Sequence, residues 1–474
     1  MSQIPPFDFR SPRRLTLSVL AATLGLAACN DNSTTGPSAS RSCGTAGVVQ
    51  LAPLQSVTLD CSSSTTVQLA GGASYLVVPQ FATGNVANQP VPFSLGVNGA
   101  TAATVSASKA RLPSGASTSI VRPSAVAAPH NARQLSFDRA LRRVEREAVA
   151  TGRWRHDTRP RASLSLAAQA PPPLNSVRSF HVLSSFDAQH PSYATVNARL
   201  AYVGTNILLY IDTLAPPGGF SDAQLQGFGQ LSDQTLYPLD LNTFGQPSDI
   251  DGNGRLIMLL TPVVNSLTPA AECSTQGFIA GFFFGLDLFT TDPNSNRGEI
   301  FYSIVPDPNG RASCAHSVNT VLNTVPATFL HELQHLVSFS QHVVVRGGQE
   351  EEGWLDEGMS LVAEELGAVY YEQRFPPPTG RTNPSQLFPD SDEGFIVGKL
   401  FDSYGYLLQP DTATLTLHSD SDLGLAWRGG DWLLLRWLGD HYGTAIYKQR
   451  FAPPTGAPLG ARLHPQVSIF RLPD

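Results

Sequence analysis

Lysine is nearly missing from this chain of 474 residues: Lys109, Lys399 and Lys448 are its whole complement, and arginine carries the rest of the basic charge. With a formal net charge of −7 and no basic stripe, there is no electrostatic reason to invoke a nucleic-acid partner. No internal repeat, Walker loop or Gly-x-Ser-x-Gly elbow occurs, so neither phosphate-cradling loop chemistry nor a serine-hydrolase elbow is written here. Cysteine is scarce, at five residues, and no Cys-x-x-Cys pair is present, which argues against a cysteine zinc site. The apolar run that starts at Leu15 is about 14 residues long, short of the roughly 20 needed to span a bilayer.

That run is part of an export signal. Arg10, Arg13 and Arg14 precede it and small residues follow, so residues 1–28 read as a signal peptide. The stretch Leu26-Ala27-Ala28-Cys29 resembles a bacterial lipoprotein box, which implies a lipid-modified Cys29, a membrane partner through that lipid, and a polar tether over 29–42. An ordinary secretory signal cut nearby is the alternative. The four remaining cysteines fall into two sequence-local pairs, Cys43 with Cys61 and Cys273 with Cys314, as expected for disulfides in an oxidising compartment.

Chemistry is concentrated in His331-Glu332-Leu333-Gln334-His335. On a helix, residues four apart share a face, so two imidazoles can each give a nitrogen to one Zn²⁺ while Glu332 accepts a proton from water at the metal. Around them Val325, Phe329, Leu330, Leu333, Leu336, Val337 and Phe339 repeat at helical spacing, and polar groups on a helix of that kind are costly unless paired. A third histidine in the register used by astacin-like enzymes is missing, since those positions hold Ser338 and Gln341.

The segment Trp354-Leu355-Asp356-Glu357-Gly358 resembles the Trp-Leu-Asn-Glu-Gly stretch of aminopeptidase-type gluzincins. With the histidine motif, it makes the chain similar to gluzincin zinc metallopeptidases, most of all to the hyicolysin-type secreted bacterial family. The resemblance implies Glu357 as third metal ligand, and Glu364, seven residues on, as orienter of a ligand imidazole. The Asp that thermolysin-like enzymes place four residues after the ligand is Leu361 here. The acidic run Glu350–Glu352 reads as a solvated approach to a helix N-terminus.

The expected architecture is α+β. A small antiparallel β domain spans 43–99, an Arg/Pro-rich linker with one helix near 131–150 spans 100–175, and a gluzincin-like metallopeptidase domain with a twisted sheet, zinc helix and helical C-terminal half spans 176–474. Nine arginines against four acids between Asn131 and Arg161 suggest a solvated helix, or a processing region. Strands are expected at 180–183, 200–202, 207–212, 256–261 and 299–304, later helices at 359–371, 394–407 and 430–441, and an irregular tail over the last thirty residues. Asp249, Asp251 and Asn253 occupy the first oxygens of a possible Ca²⁺ loop, whose twelfth position is Leu260; a tight turn is the favoured reading.

These residues lead to the expectation of a zinc-dependent endopeptidase acting on proteins or peptides at the cell envelope or outside the cell. The alternatives are an envelope lipoprotein with a structural or vestigial zinc site, or an aminopeptidase. The oxyanion donor is left open among Tyr370, Tyr371, Tyr404, Tyr406, His441 and Tyr442. The amine-binding motif of aminopeptidase-type gluzincins is missing from Arg297–Tyr302, with Glu299 the one residue that could replace it.

Overall fold

The computed structural model describes residues 41–43, 47–52, 55–60, 66–73, 75–80, 132–154, 170–186, 191–374, 390–408, 426–450 and 466–471. The chain divides into two compact units, Met1–Gly96 with Pro458–Asp474, and Val97–Ala457. The expected signal peptide, residues 1–28, and Cys29 lie outside the described residues. Among the described residues no helix is long and apolar enough to cross a membrane.

In the first unit, strands β1 (Arg41–Ser42), β3 (Ser56–Asp60) and β5 (Tyr75–Gln80) form a four-stranded sheet with the C-terminal strand β12 (Gln466–Arg471), in the order β1-β3-β12-β5. A separate ribbon pairs β2 (Val48–Val49) with β4 (Gln68–Leu69). The expected antiparallel domain is therefore mixed. β12 runs antiparallel to both neighbours, but it takes the place between β3 and β5, and β1–β3 and β2–β4 pair in parallel. The tail reading also fails for 466–471, whose strand comes from long-range pairing that local composition does not encode. Cys43, Val49, Leu51 and Leu59 make this unit's small core.

The second unit carries helix α1 (Ala132–Ala150) and a six-stranded sheet of β6 (Val177–Ser185), β7 (Ser192–Val203), β8 (Ile207–Asp212), β9 (Leu256–Leu260), β10 (Gly281–Phe283) and β11 (Ile300–Ser303), ordered β10-β11-β9-β8-β7-β6. β8, β9 and β11 are parallel, and the apolar runs Ile207–Ile211 of β8 and Leu256–Leu260 of β9 follow from burial on both faces. β6, β7 and β10 are antiparallel additions, and β10 forms an edge of three residues. The helices between are α2 (Asp222–Leu231), α3 (Tyr237–Phe244), α4 (Pro262–Ser266) and α5 (Cys273–Gln276). Cys273 and Cys314 are joined as expected; Cys43 is disulfide-bonded, but Cys61 lies outside the described residues.

Helix α6 (Val318–Phe339) is capped by Ser317, whose hydroxyl accepts the Thr320 amide at 3.0 Å, and it continues into a wider π turn at Ser340–Val345. Its apolar positions Val325, Phe329, Leu330, Leu333, Leu336 and Val337 are buried against β10, β11 and α3. Helices α7 (Gly353–Arg374), α8 (Asp390–Leu408) and α9 (Ala426–Tyr442) pack on one another and α7 also packs on α6; α10 (Ala445–Arg450) follows. Gly358 permits the close approach of α7 to α9, because a Cβ there would stand 2.8 Å from Leu435 Cδ1.

The structure differs most from expectation at α1. Instead of a solvated helix in a linker, it joins the main core through Phe137 and Leu141, and Phe137 meets Phe282 of β10 edge-on at 5.2 Å. Two of its arginines have partners in the fold. Arg142 is buried in an ion pair with Glu145 at 2.8 Å, and Arg139 lies over the Trp427 ring at 4.9 Å.

Candidate metal centre

Two helices build the site. On α6 the four-residue spacing turns both imidazoles to one side, with their Nε2 atoms 3.1 Å apart. The first turn of α7 brings Glu357, with Oε2 3.6 Å from His331 Nε2 and Oε1 3.9 Å from His335 Nε2. That turn is held by the Glu352 carbonyl, which accepts the amides of Leu355 and Asp356. A tetrahedral zinc with bonds of about 2.1 Å has donor-to-donor edges of about 3.4 Å, so His331, His335 and Glu357 match the set such an ion requires. All three are buried.

The outer nitrogens are held by carboxylates. His331 Nδ1 lies 2.9 Å from Glu364 Oε1, and His335 Nδ1 lies 2.7 Å from Asp356 Oδ2. A carboxylate at Nδ1 holds the proton there and turns the Nε2 lone pair to the shared centre. Burial alone would raise the Glu364 pKa, but Lys399 and His331 outweigh it and hold it down to about 2. For His335, burial disfavours the charge, while Asp356 and then Glu357 favour it more, and its pKa stands at about 9. Glu357 is held down to about 2: burial opposes, and Arg428 followed by the two histidines prevails.

Glu332 is 1 % exposed. Its Oε2 accepts the Phe283 amide at 3.0 Å, while Oε1 has no hydrogen-bond partner, so one oxygen is fixed to β10 and the other remains free to receive a proton. Three residues near the site are absent from the sequence expectation. Asp356 precedes Glu357 on α7, and its contact with His335 exists only in the folded helix pair. Arg428, on α9, places Nη2 2.9 Å from Glu357 Oε2 and 3.4 Å from His331 Nε2. Asp138, on α1, places a carboxylate oxygen within 4.8 Å of His331 and Glu332. Neither of these last two has a local motif that could reveal it.

A cavity of about 460 Å³ opens at this centre, lined among others by Gln134, Asp138, His331, Glu332, Lys399 and Arg428. Tyr370, Tyr371, Tyr404 and Tyr406 do not line it, and the side chains of His441 and Tyr442 lie outside the described residues. Glu299 is elsewhere: it accepts Ser248 Oγ at 2.7 Å and the Ile250 amide at 3.0 Å. Its oxygens gather with those of Asp249 and Asp251, while Asn253 turns its side chain onto the Arg255 amide and onto Asp251. The 249–254 loop is thus closed as a tight turn by its own side chains, with Gly252 and Gly254 at φ 72° and 67°.

No family model matches the chain. Over 201 residues it is 28 % identical to the neutral metalloprotease ShpI of Staphylococcus hyicus, a match that covers 41 % of this chain and 40 % of that protein. The chain thus aligns with well under half of its relative's length. Among the described residues, His331, His335 and Glu357 bring together donor atoms that could hold a metal ion.

Proposed function

We propose that this chain is a zinc-dependent endopeptidase of the gluzincin type, with His331, His335 and Glu357 as metal ligands and Glu332 as general base. The observation that carries the reading is the geometry of the buried donor set, with nitrogens and oxygens 3.1–3.9 Å apart and an unpartnered Glu332 oxygen beside them. Zinc held there would act as a Lewis acid that polarises a carbonyl and lowers the pKa of water. Glu332 takes the proton of the attacking water at Oε1 and delivers it to the leaving amine, while its bond to Phe283 keeps the carboxylate in place. Arg428 lines the cavity and, in place of the tyrosines, supplies the cationic donor for the developing oxyanion. Glu364 and Asp356 hold the two imidazoles in the tautomer that ligation needs.

Internal cleavage is favoured over an aminopeptidase because Glu299 is occupied by the Ser248–Ile250 loop and is absent from the cavity. Proteins or peptides are the substrates, and the chain works as an exported envelope protein, lipid-anchored through Cys29. The test is cleavage of an N-acetylated peptide by the zinc-loaded chain. It should be cut as well as the free-amine form, and Glu332→Gln should lower the rate about 10³-fold with zinc retained. A strict requirement for the free amine, or near-normal turnover by the variant, overturns the reading.

A further inference from the structure

Asp138 reaches the cavity from α1 and is 2 % exposed. Its place is fixed by its neighbours on the same helix. Gln134, one turn earlier, donates to Asp138 Oδ1 at 2.7 Å and to the Gly281 carbonyl at 2.9 Å, while its own oxygen accepts the Ala280 amide at 2.8 Å. Arg142, one turn later, donates to the Phe283 carbonyl at 2.6 Å, so α1 is held along β10 and the carboxylate with it. Oδ2, by contrast, has no hydrogen-bond partner. Burial, and then the charges of Glu332 and Glu357, push the Asp138 pKa well up, as expected of a carboxyl short of positive charge. An Asp138 oxygen lies within 4.8 Å of a Glu332 oxygen and of a His331 nitrogen, and Glu332 also keeps one oxygen without a partner. Two N–H donors on one tetrahedral nitrogen, with bonds of about 2.8 Å, reach acceptors about 4.6 Å apart. A protonated nitrogen therefore fits between the two carboxylates.

We infer that Asp138 is a catalytic residue for departure of the amine: it accepts a hydrogen bond from the scissile nitrogen once that nitrogen is protonated. This rests on the peptidase reading above. Glu332 passes the proton it took from water to the scissile nitrogen, which becomes cationic, and the C–N bond breaks with its electron pair on nitrogen. The new carboxyl group keeps the oxygen of the water, and its remaining proton passes to the amine, so a carboxylate and an ammonium leave. A neutral amide nitrogen offers Asp138 little, so the interaction strengthens as the transition state is reached. An oxygen without a partner in the free chain is thus reserved for a charge that exists only during the reaction.

The test compares the full zinc-loaded chain with Asp138→Asn, which keeps the shape of the side chain and an acceptor for Gln134. On an N-acetylated peptide kcat should fall about 10²-fold with KM nearly unchanged, because the lost interaction belongs to the transition state. Calorimetry gives a reading that needs no turnover. A dipeptide amide with a free α-amine should bind the wild type about tenfold more tightly than its N-acetyl form, and Asp138→Asn should lose that preference. Equal kcat, or an amine preference that the variant keeps or the wild type lacks, overturns the assignment and leaves the peptidase reading standing; a wild type that cuts no acetylated peptide overturns that reading and the assignment with it. The urea midpoint separates a catalytic from a structural carboxylate. That of Asp138→Asn should equal or exceed the wild-type value, since the buried oxygen has no partner to lose, whereas a lower midpoint, or a variant that does not fold, makes Asp138 structural and overturns the assignment.

Discussion

His335 sits between two carboxylates, Asp356 at Nδ1 and Glu357 at Nε2, and this sets how pH acts on the site. Its pKa stands at about 9, above the ordinary histidine value, so in the metal-free chain the charged imidazole contributes stability below pH 6.5 that is lost as pH rises through 9. Zinc needs the deprotonated nitrogen. Its apparent affinity should therefore fall about tenfold per pH unit from pH 9 down to 6.5, with about one proton released per zinc at pH 8. Calorimetry in buffers of different ionisation enthalpy reads that proton directly. In Asp356→Asn the release at pH 8 should shrink, and an affinity independent of pH would contradict the arrangement. The histidines and Glu332 are legible in the sequence because a four-residue helical spacing is local information. Glu357 enters through a family resemblance, and its neighbour Asp356 can be recognised only once the first turn of α7 is folded against α6. Asp138 and Arg428 come from distant helices, and nothing near them in the chain marks them as parts of one cavity.

At the scale of elements, α1 shows how a correct helix can carry a wrong environment. Its apolar stripe, Leu135, Phe137, Leu141 and Val144, is plain in the sequence, and the helix forms at Ala132–Ala150. The arginines suggest solvent, yet Arg142 is buried with Glu145, which in turn holds the Gly285 amide. Composition counts charges but cannot say which are desolvated in pairs. Arg142→Met should destabilise the chain by about 3 kcal/mol, since it strands a buried carboxylate and frees the Phe283 carbonyl. A urea midpoint equal to wild type would show that the pair contributes nothing. β10 is not legible in the sequence for a different reason: three residues in a phenylalanine-rich run are too few to show a period of two. The parallel strands β8 and β9, by contrast, are marked by the apolar runs Ile207–Ile211 and Leu256–Leu260 and lie where the sequence places them.

Over the whole molecule, the polypeptide returns to its N-terminal unit at the end, with β12 seated between β3 and β5, so that the second unit is inserted between the two parts of the first. Sequence order alone suggests consecutive domains, because the pairing that defines this insertion joins residues separated by nearly the full chain. Labelled fatty acid should be incorporated at Cys29, and Cys29→Ala should move the protein out of the membrane fraction; unchanged fractionation would favour another anchor. Zinc content of the purified chain tests the metal site without depending on a choice of substrate. After reconstitution the wild type and Glu332→Gln should each hold about one equivalent of zinc, while His335→Ala and Glu357→Ala should hold almost none at the same free concentration. Full zinc content in the two ligand variants, or none in the wild type, would contradict the account.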